Sequence, residues 1–204
     1  MAYLSNSPFI AVDGQIWEVN VGDKCQYQIC PKYMKQMIRE LNAMCRRYRR
    51  VFCVLFNLHM NSYTENNSII SLFEKKLFPL VKARYGVKDI GFVWVREMEQ
   101  AKQQHYHFAL FIDGKQIRHP QNLLDLVMDK WMLAGGSHVY TPKNCYVMIE
   151  KNAFQEKQKL IHRLSYYAKE RGKGYKSKQA KNYSTSRIAS SAGLNGIQQL
   201  SRTR

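Results

Sequence analysis

The segment VFCVLFNL, residues 51–58, is apolar at every position except its asparagine. Valine and phenylalanine are enriched in strands, and the run has the length of a strand rather than of a buried helix. It therefore predicts a buried β-strand near the middle of the chain. The fold class then depends on which elements surround this strand.

Periodic apolar patterns on both sides of the strand predict the neighbouring elements. A helix with apolar residues at helical spacing begins after Pro31 and ends in the arginine cluster 46–50. A second helix begins at Asn67 and ends at Gly86, and Pro79 is expected to kink or split it. Further strands are predicted at 90–97, 105–112 and 145–150, further helices at 120–131 and 153–171, and the pattern at 15–20 also allows a short strand.

The order β-α-β-β-α-β with flanking helices predicts an α+β fold with a mainly antiparallel central sheet. This is the split βαβ arrangement of ferredoxin-like and RRM-like folds. Five cysteines without a C-x-x-C pair fit neither a disulfide framework nor a zinc ribbon. The sequence contains no apolar run long enough to span a membrane and no secretory leader pattern, so a soluble, cytoplasmic protein is expected.

The charge of the chain indicates a polyanionic partner. Lys and Arg number 32 against 15 Asp and Glu, a formal net charge of +17. From Gly172 the sequence is rich in Lys, Ser and Gly, which predicts a flexible basic tail over 172–204, alternatively a solvated solubility tail. Tyr175 and Tyr183 in this segment allow base stacking beside phosphate contacts. The candidate nucleic-acid-binding residues are Arg46, Arg47, Arg49, Arg50, Lys173, Lys176 and Lys178.

A histidine pair on the predicted strand 105–112 is a candidate metal chelate. His105 and His107 are two residues apart, so both imidazoles leave the same face of the strand, while Tyr106 and alternate residues beyond it face the core. Glu97 ends the preceding strand, and the hairpin can bring its carboxylate beside the imidazoles. Two histidines and a carboxylate leave open positions on Mg²⁺ or Mn²⁺ for a substrate oxygen.

Alternatives to this ligand set remain open in the sequence. Glu97 can instead be a solvated partner of Arg96 or Lys102, with Glu99 as the substitute ligand. A structural role is favoured for the other four histidines, His59, His119, His138 and His162.

Two adjacent tyrosines lie on the predicted last helix. A helical wheel places Tyr167 at the edge of the apolar stripe and Tyr166 on the polar side, within reach of His162 and Lys169. A nearby ammonium and a metal-polarised phosphate would each lower the barrier to attack by a phenol. Alternatively, both tyrosines are packing residues, which the wheel supports for Tyr167 and argues against for Tyr166.

The chain resembles the HUH (His-hydrophobic-His) single-strand endonucleases in three segments: the strand at 51–58, WVREMEQAKQQHYHF and SYYAKE. Within that superfamily the chain is most similar to rolling-circle replication initiators of filamentous-phage (inovirus) and related prophage type. Two features differ: the middle residue of the histidine pair is Tyr106, and the adjacent tyrosines leave the nucleophile open between Tyr166 and Tyr167.

The resemblance implies an HUH catalytic core over 51–171, with residues 1–50 as a basic helical extension. It implies that a divalent cation, Mg²⁺ or Mn²⁺, is bound by His105 and His107 with help from Glu97, that Tyr166 attacks a phosphate, and that Lys169 assists. The implied activity is site-specific nicking and joining of single-stranded or hairpin origin DNA through a 5′-phosphotyrosine.

The free 3′-OH released by this activity would prime a host polymerase. A helicase must also come from elsewhere, because the chain has no G-x-x-x-x-G-K-[ST] motif. A protein of this kind would act in the host cytoplasm. Two other functions fit the same sequence features: a single-tyrosine HUH transposase, and a non-catalytic basic regulator that binds DNA or RNA.

Overall fold

A computed structural model describes residues 3–98, 103–170 and 180–188. The described residues form eight strands, four α-helices and one 3-10 turn at Ser165–Ala168. The strands are β1 Phe9–Val12, β2 Gln15–Glu18, β3 Arg50–His59, β4 Gly91–Glu97, β5 His105–Asp113, β6 Val139–Tyr140, β7 Tyr146–Glu150 and β8 Tyr183–Thr185. The helices are α1 Pro31–Arg47, α2 Ser68–Tyr85, α3 Gln121–Leu133 and α4 Phe154–Leu164.

The central sheet has the order β6-β3-β5-β4-β8, and β7 also pairs with β3. All of its pairings are antiparallel. The predicted α+β class with a mainly antiparallel sheet and flanking helices is therefore confirmed. Strands β1 and β2 form a separate hairpin, whose turn residues Asp13 and Gly14 both have positive φ, as in the tight turns that match strand twist.

Helices and the hairpin cover both faces of the sheet. One apolar cluster joins α2 and α3 to the side chains of Phe52, Phe56, Phe108 and other residues of that face. The other joins α1, α4 and the β1-β2 hairpin to the opposite face. Strand β3 contributes fully buried residues to both clusters, which explains its continuous apolar sequence.

Pro79 was expected to kink or split the second helix. The split is wrong, because α2 is a single helix from Ser68 to Tyr85. Pro79 and Lys75 are both exposed, so the carbonyl of Lys75, which has no N–H partner at Pro79, faces water. Gly86 ends the helix in the left-handed conformation, at φ 60°.

The predicted helix 153–171 is too long. The α-helix ends at Leu164, because the hydroxyl of Ser165 donates to the carbonyl of His162 and accepts the N–H of Asn20, which competes with the helical ladder. The chain then continues as the 3-10 turn, and the Cys30 N–H donates to the carbonyl of Ala168.

The predicted flexible tail from residue 172 is wrong for residues 180–188. Strand β8 pairs with the edge of β4, and the hydroxyl of Ser186 donates to the buried carboxylate of Glu40 at 2.7 Å. A strand of polar residues on a sheet edge is stabilised by backbone hydrogen bonds, which composition does not reveal. Within the described ranges, the helices are too short or too polar to cross a membrane.

Candidate active site

The register of three neighbouring strands brings five polar side chains to one patch of the sheet. His107 lies opposite Asn57 of β3, and His105 lies opposite both His59 of β3 and Glu97 of β4. Directly opposed residues of antiparallel strands project from the same face. The carboxylate of Glu97 therefore reaches the two imidazoles, as the hairpin spacing predicted.

The ring nitrogens of the two histidines are oriented by oxygen acceptors. His105 Nδ1 lies 3.3 Å from the carbonyl of Gln103, and His107 Nδ1 lies 2.8 Å from Oδ1 of Asn57. Because neither oxygen can donate, these contacts favour the tautomer with its proton on Nδ1, which leaves Nε2 of each ring as the lone-pair atom that can bind a metal.

These lone pairs meet the carboxylate of Glu97. Its Oε2 lies 3.1 Å from His107 Nε2 and 3.9 Å from His105 Nε2, and the two Nε2 atoms are 3.2 Å apart. Glu97 and His107 are also buried. Three acceptor atoms in contact away from water repel one another unless a cation or a proton lies between them.

The donor set fits a divalent cation. Ligand bonds of about 2.0–2.2 Å at tetrahedral or octahedral angles place neighbouring donor atoms about 3.0–3.5 Å apart. Two of the three separations lie in that range, and the third, between His105 and Glu97, is 3.9 Å. Glu97, His105 and His107 can therefore hold a metal ion.

Arg96 does not form the ion pair with Glu97 that the sequence also allowed. The Arg96 guanidinium is buried on the opposite face, where it donates to Gln104 and to the carbonyls of Thr64 and Asn66. Lys102, the second possible partner of Glu97, and Glu99, the possible substitute ligand, lie outside the described residues.

Two further features of this site were not predicted: the contact of Asn57 with His107, and the stacking of His59 between His105 and His138. The ring of His59 stacks on His105 with centroids 5.3 Å apart and on His138 at 4.2 Å. Burial, and then the neighbouring imidazoles, lower the pKa of His59 to about 4, so the ring is neutral at pH 7. His119 is exposed, with its ring centroid 6.5 Å from that of Tyr146, and its structural role stays a prediction.

Tyr166 and Tyr167 pack against the same imidazole from different sides. The Tyr167 ring stacks on His107 at 5.0 Å, is only 6 % exposed, and has a pKa raised above its usual range by burial. The Tyr166 ring meets His107 edge to face at 5.4 Å and is 48 % exposed. The sequence distinction between a packing Tyr167 and a polar-side Tyr166 is confirmed, although a 3-10 turn carries both residues.

Lys169 lies between two aromatic rings. Its Nζ is 4.6 Å from the ring centroid of Tyr166 and 3.7 Å from that of Tyr27, close enough for cation–π attraction to both. This places the ammonium on the exposed side of the tyrosine pair.

A pocket of about 320 Å³ is lined by the candidate nucleophile and by one candidate metal ligand, His107, whereas His105 and Glu97 do not line it. Its walls include Asn57, His107, Tyr166 and the basic side chains of His162 and Arg163. His162, for which the sequence favoured a structural role, therefore lies at this pocket. The pocket brings together an exposed phenol, a candidate metal ligand and basic groups.

The predicted arginine cluster lies far from this pocket. Arg50 precedes Asn57 by seven residues along β3, which corresponds to about 23 Å. Arg47 pairs with Asp89 at 2.9 Å and Arg50 with Glu150 at 3.4 Å, whereas Arg46 and Arg49 are exposed. The predicted binding residues Lys173, Lys176 and Lys178 lie outside the described residues.

A family comparison matches most of the chain. The model of the YagK/YfjJ C-terminal domain matches residues 23–186, a span that crosses both predicted domain boundaries, at 50 and at 171. No curated protein and no solved structure matches. The chain belongs to the YagK/YfjJ C-terminal domain family.

Proposed function

We propose that this protein nicks and rejoins single-stranded DNA, with Tyr166 as nucleophile beside a divalent-cation site formed by Glu97, His105 and His107. The observation that carries the proposal is the contact between the exposed Tyr166 ring and His107 at the wall of one pocket. A reactive hydroxyl and a phosphate-binding cation are the two groups that transesterification of a phosphodiester needs.

The residues of the site have distinct roles in this proposal. Glu97, His105 and His107 hold a Mg²⁺ or Mn²⁺ ion, which supplies Lewis-acid polarisation of a phosphate oxygen. Asn57 fixes the tautomer and the orientation of His107. Lys169 places a positive charge beside the phenol, which favours its phenolate form during attack.

In the proposed step, the Tyr166 oxygen forms a bond to phosphorus and the bond from phosphorus to the 3′ oxygen breaks. The phenolic proton leaves to water, to which Tyr166 is open, and the 3′ oxygen gains a proton. One phosphodiester replaces another, so the step is close to isoenergetic and the 3′-OH can reverse it. The 5′-phosphotyrosine retains the strand for rejoining.

The finer identification, an HUH endonuclease of the inovirus or prophage rolling-circle type, belongs to the same proposal. The order β7-β3-β5-β4, with α2 and α3 in the two crossovers, supports the split βαβ (ferredoxin-like) topology expected for it. In that role the free 3′-OH primes a host polymerase, and a host helicase separates the strands.

The experiment that tests the proposal is incubation of labelled single-stranded origin-type oligonucleotides with the protein and Mn²⁺. A covalent adduct is expected with the wild type and with Tyr167→Phe, and none with Tyr166→Phe. Mass spectrometry of the adduct peptide identifies the modified residue. An adduct that depends on Tyr167 would overturn the choice of nucleophile.

The metal assignment has its own test in the same assay. Chelation by EDTA and the substitution His105→Ala are both expected to abolish the adduct. Full activity of His105→Ala would refute the cation site. DNA binding without an adduct under any metal would favour the non-catalytic regulator, and adducts formed only on transposon-end sequences would favour the single-tyrosine transposase.

A further inference from the structure

A second pocket, of about 510 Å³, lies where the C-terminal strand meets the first helix. The rings of Tyr33 from α1 and Tyr183 from β8 have centroids 3.9 Å apart at an interplanar angle of 37°. Both side chains are half-buried, so each ring is held in place and still partly open to solvent. The remaining described walls are Gln36, Lys181, Asn182, Ser184, Thr185 and Arg187.

The walls of this pocket combine three kinds of group. Two tyrosine rings provide an aromatic surface, two amides and two hydroxyls can donate and accept hydrogen bonds, and the exposed Lys181 and Arg187 add two positive charges. Among the described residues that line it, none is a carboxylate. Aromatic rings beside cations and amides are the groups that bind a base together with its phosphate.

This pocket and the candidate active site lie on the same face of the sheet. Tyr183 pairs with Val95, and Val95 pairs with His107. Two strand spacings separate Tyr183 from His107, about 10 Å between backbones. The start of α1 is also tied to the turn that carries Tyr166, because the Cys30 N–H donates to the carbonyl of Ala168 at 2.8 Å.

We propose that the pocket between Tyr33 and Tyr183 is a nucleotide subsite that holds single-stranded DNA beside the active site. A base stacks on the tyrosine pair, and Lys181 and Arg187 bind the adjoining phosphates. The choice of DNA as ligand rests on the proposed function.

The test is fluorescence anisotropy with a short fluorescein-labelled oligothymidylate, without metal, so that binding is measured apart from chemistry. Tyr183→Ala is expected to weaken binding about five- to hundredfold, whereas Tyr183→Phe retains the stacking surface and stays within about twofold of the wild type. Since Tyr183→Ala can also disturb β8, Tyr33→Leu tests the same surface from α1. Thermal melting verifies that each variant is folded.

The binding of phosphates by the two cations has a separate readout. The double substitution of Lys181 and Arg187 by Gln is expected to reduce the slope of log affinity against log salt by about 1.4, because each cation that neutralises a phosphate contributes about 0.7. Unchanged affinity in both tyrosine variants, or an unchanged salt slope, would overturn the subsite. Tighter binding of oligouridylate than of oligothymidylate would overturn the assignment to DNA.

Failure of the subsite and failure of the proposed function are distinguishable. Adduct formation at Tyr166, measured on the same proteins, tests the chemistry alone. If the wild type forms the adduct while the Tyr33 and Tyr183 variants bind as it does, the subsite is wrong and the nicking function stands. If binding depends on the pocket and no protein forms an adduct, the nicking function is wrong and the subsite stands.

Discussion

Replacing Asn57 by leucine is expected to weaken metal binding without removing any metal ligand. Oδ1 of Asn57 accepts a hydrogen bond from Nδ1 of the buried His107 at 2.8 Å. Leucine has a similar volume but no acceptor. The imidazole then loses the hydrogen bond that keeps its proton on Nδ1, and the competing tautomer directs an N–H at the position of the cation.

The size of the effect follows from the role of this hydrogen bond. Removing the partner that orients a ligating histidine costs about 10- to 100-fold in metal affinity, or about 1.4–2.7 kcal/mol. Isothermal titration calorimetry with Mn²⁺ measures this directly. Thermal unfolding provides a second readout, because Mn²⁺ at 100 times the wild-type Kd stabilises the wild type by about 2.7 kcal/mol and a 100-fold weaker variant by only about 0.4 kcal/mol.

The matched control is Asn57→Asp, which keeps an acceptor at the same position and is expected to bind Mn²⁺ at least as tightly as the wild type. Glu97→Gln removes a charged ligand, so its Mn²⁺ affinity is expected to be lower than that of either Asn57 variant. Wild-type Mn²⁺ affinity in Asn57→Leu would refute the argument that this hydrogen bond orients His107. Equal loss in the leucine and aspartate variants would point to packing rather than to the acceptor.

Three further predictions concern stability. Burial raises the pKa of Glu74 to about 7 in the folded protein, so the free energy of unfolding should fall as pH rises from about 4.5 to 7. Glu74→Gln, whose side-chain oxygen still accepts from Trp94, should remove this fall and add about 1–3 kcal/mol above pH 7 in urea titrations, and an unchanged pH profile in this variant would contradict the prediction. Ser186→Ala removes one donor to the buried Glu40 carboxylate and should cost about 1–3 kcal/mol, whereas a value near zero would mean that this hydrogen bond adds nothing to the stability of the fold. Gly91→Ala places a Cβ 2.8 Å from the Met44 side chain of α1 and should cost about 1–3 kcal/mol by the same titration. A cost near zero would mean that the Met44 side chain moves aside freely.

The elements with strong periodicity were predictable from the sequence. Helix α1 begins at Pro31 as expected, and β3, β4, β5 and β7 lie within one or two residues of their predicted bounds. The core-facing side of β5, from Tyr106 to Ile112, is buried as the alternation predicted. These features depend on local patterns of apolar residues, which each segment carries by itself.

The features that were missed depend on contacts between distant segments. Strand β8 exists because β4 offers an unpaired edge and Glu40 a buried acceptor. The end of α4 depends on the hydroxyl of Ser165 and on the N–H of Asn20, which lies 145 residues away. Asn57 carries a signal that could have been used, since it is the single polar residue of the apolar segment 51–58, and a polar side chain in a strand predicted to be buried needs a partner.

The two halves of the candidate site differ in how they are held, and this difference bears on the proposed reaction. The cation ligands stand on β4 and β5 with Asn57 on β3, so their spacing is fixed by the hydrogen bonds of the sheet. Tyr166 stands on a 3-10 turn that is tied to the N-terminal segment through Ala168. Tyr167 stands on the same turn and stacks on His107 at 5.0 Å, so a displacement of this turn would reach the cation site through that ring. In the proposed reaction, this contact keeps the attached strand end beside the cation ligands for the rejoining step.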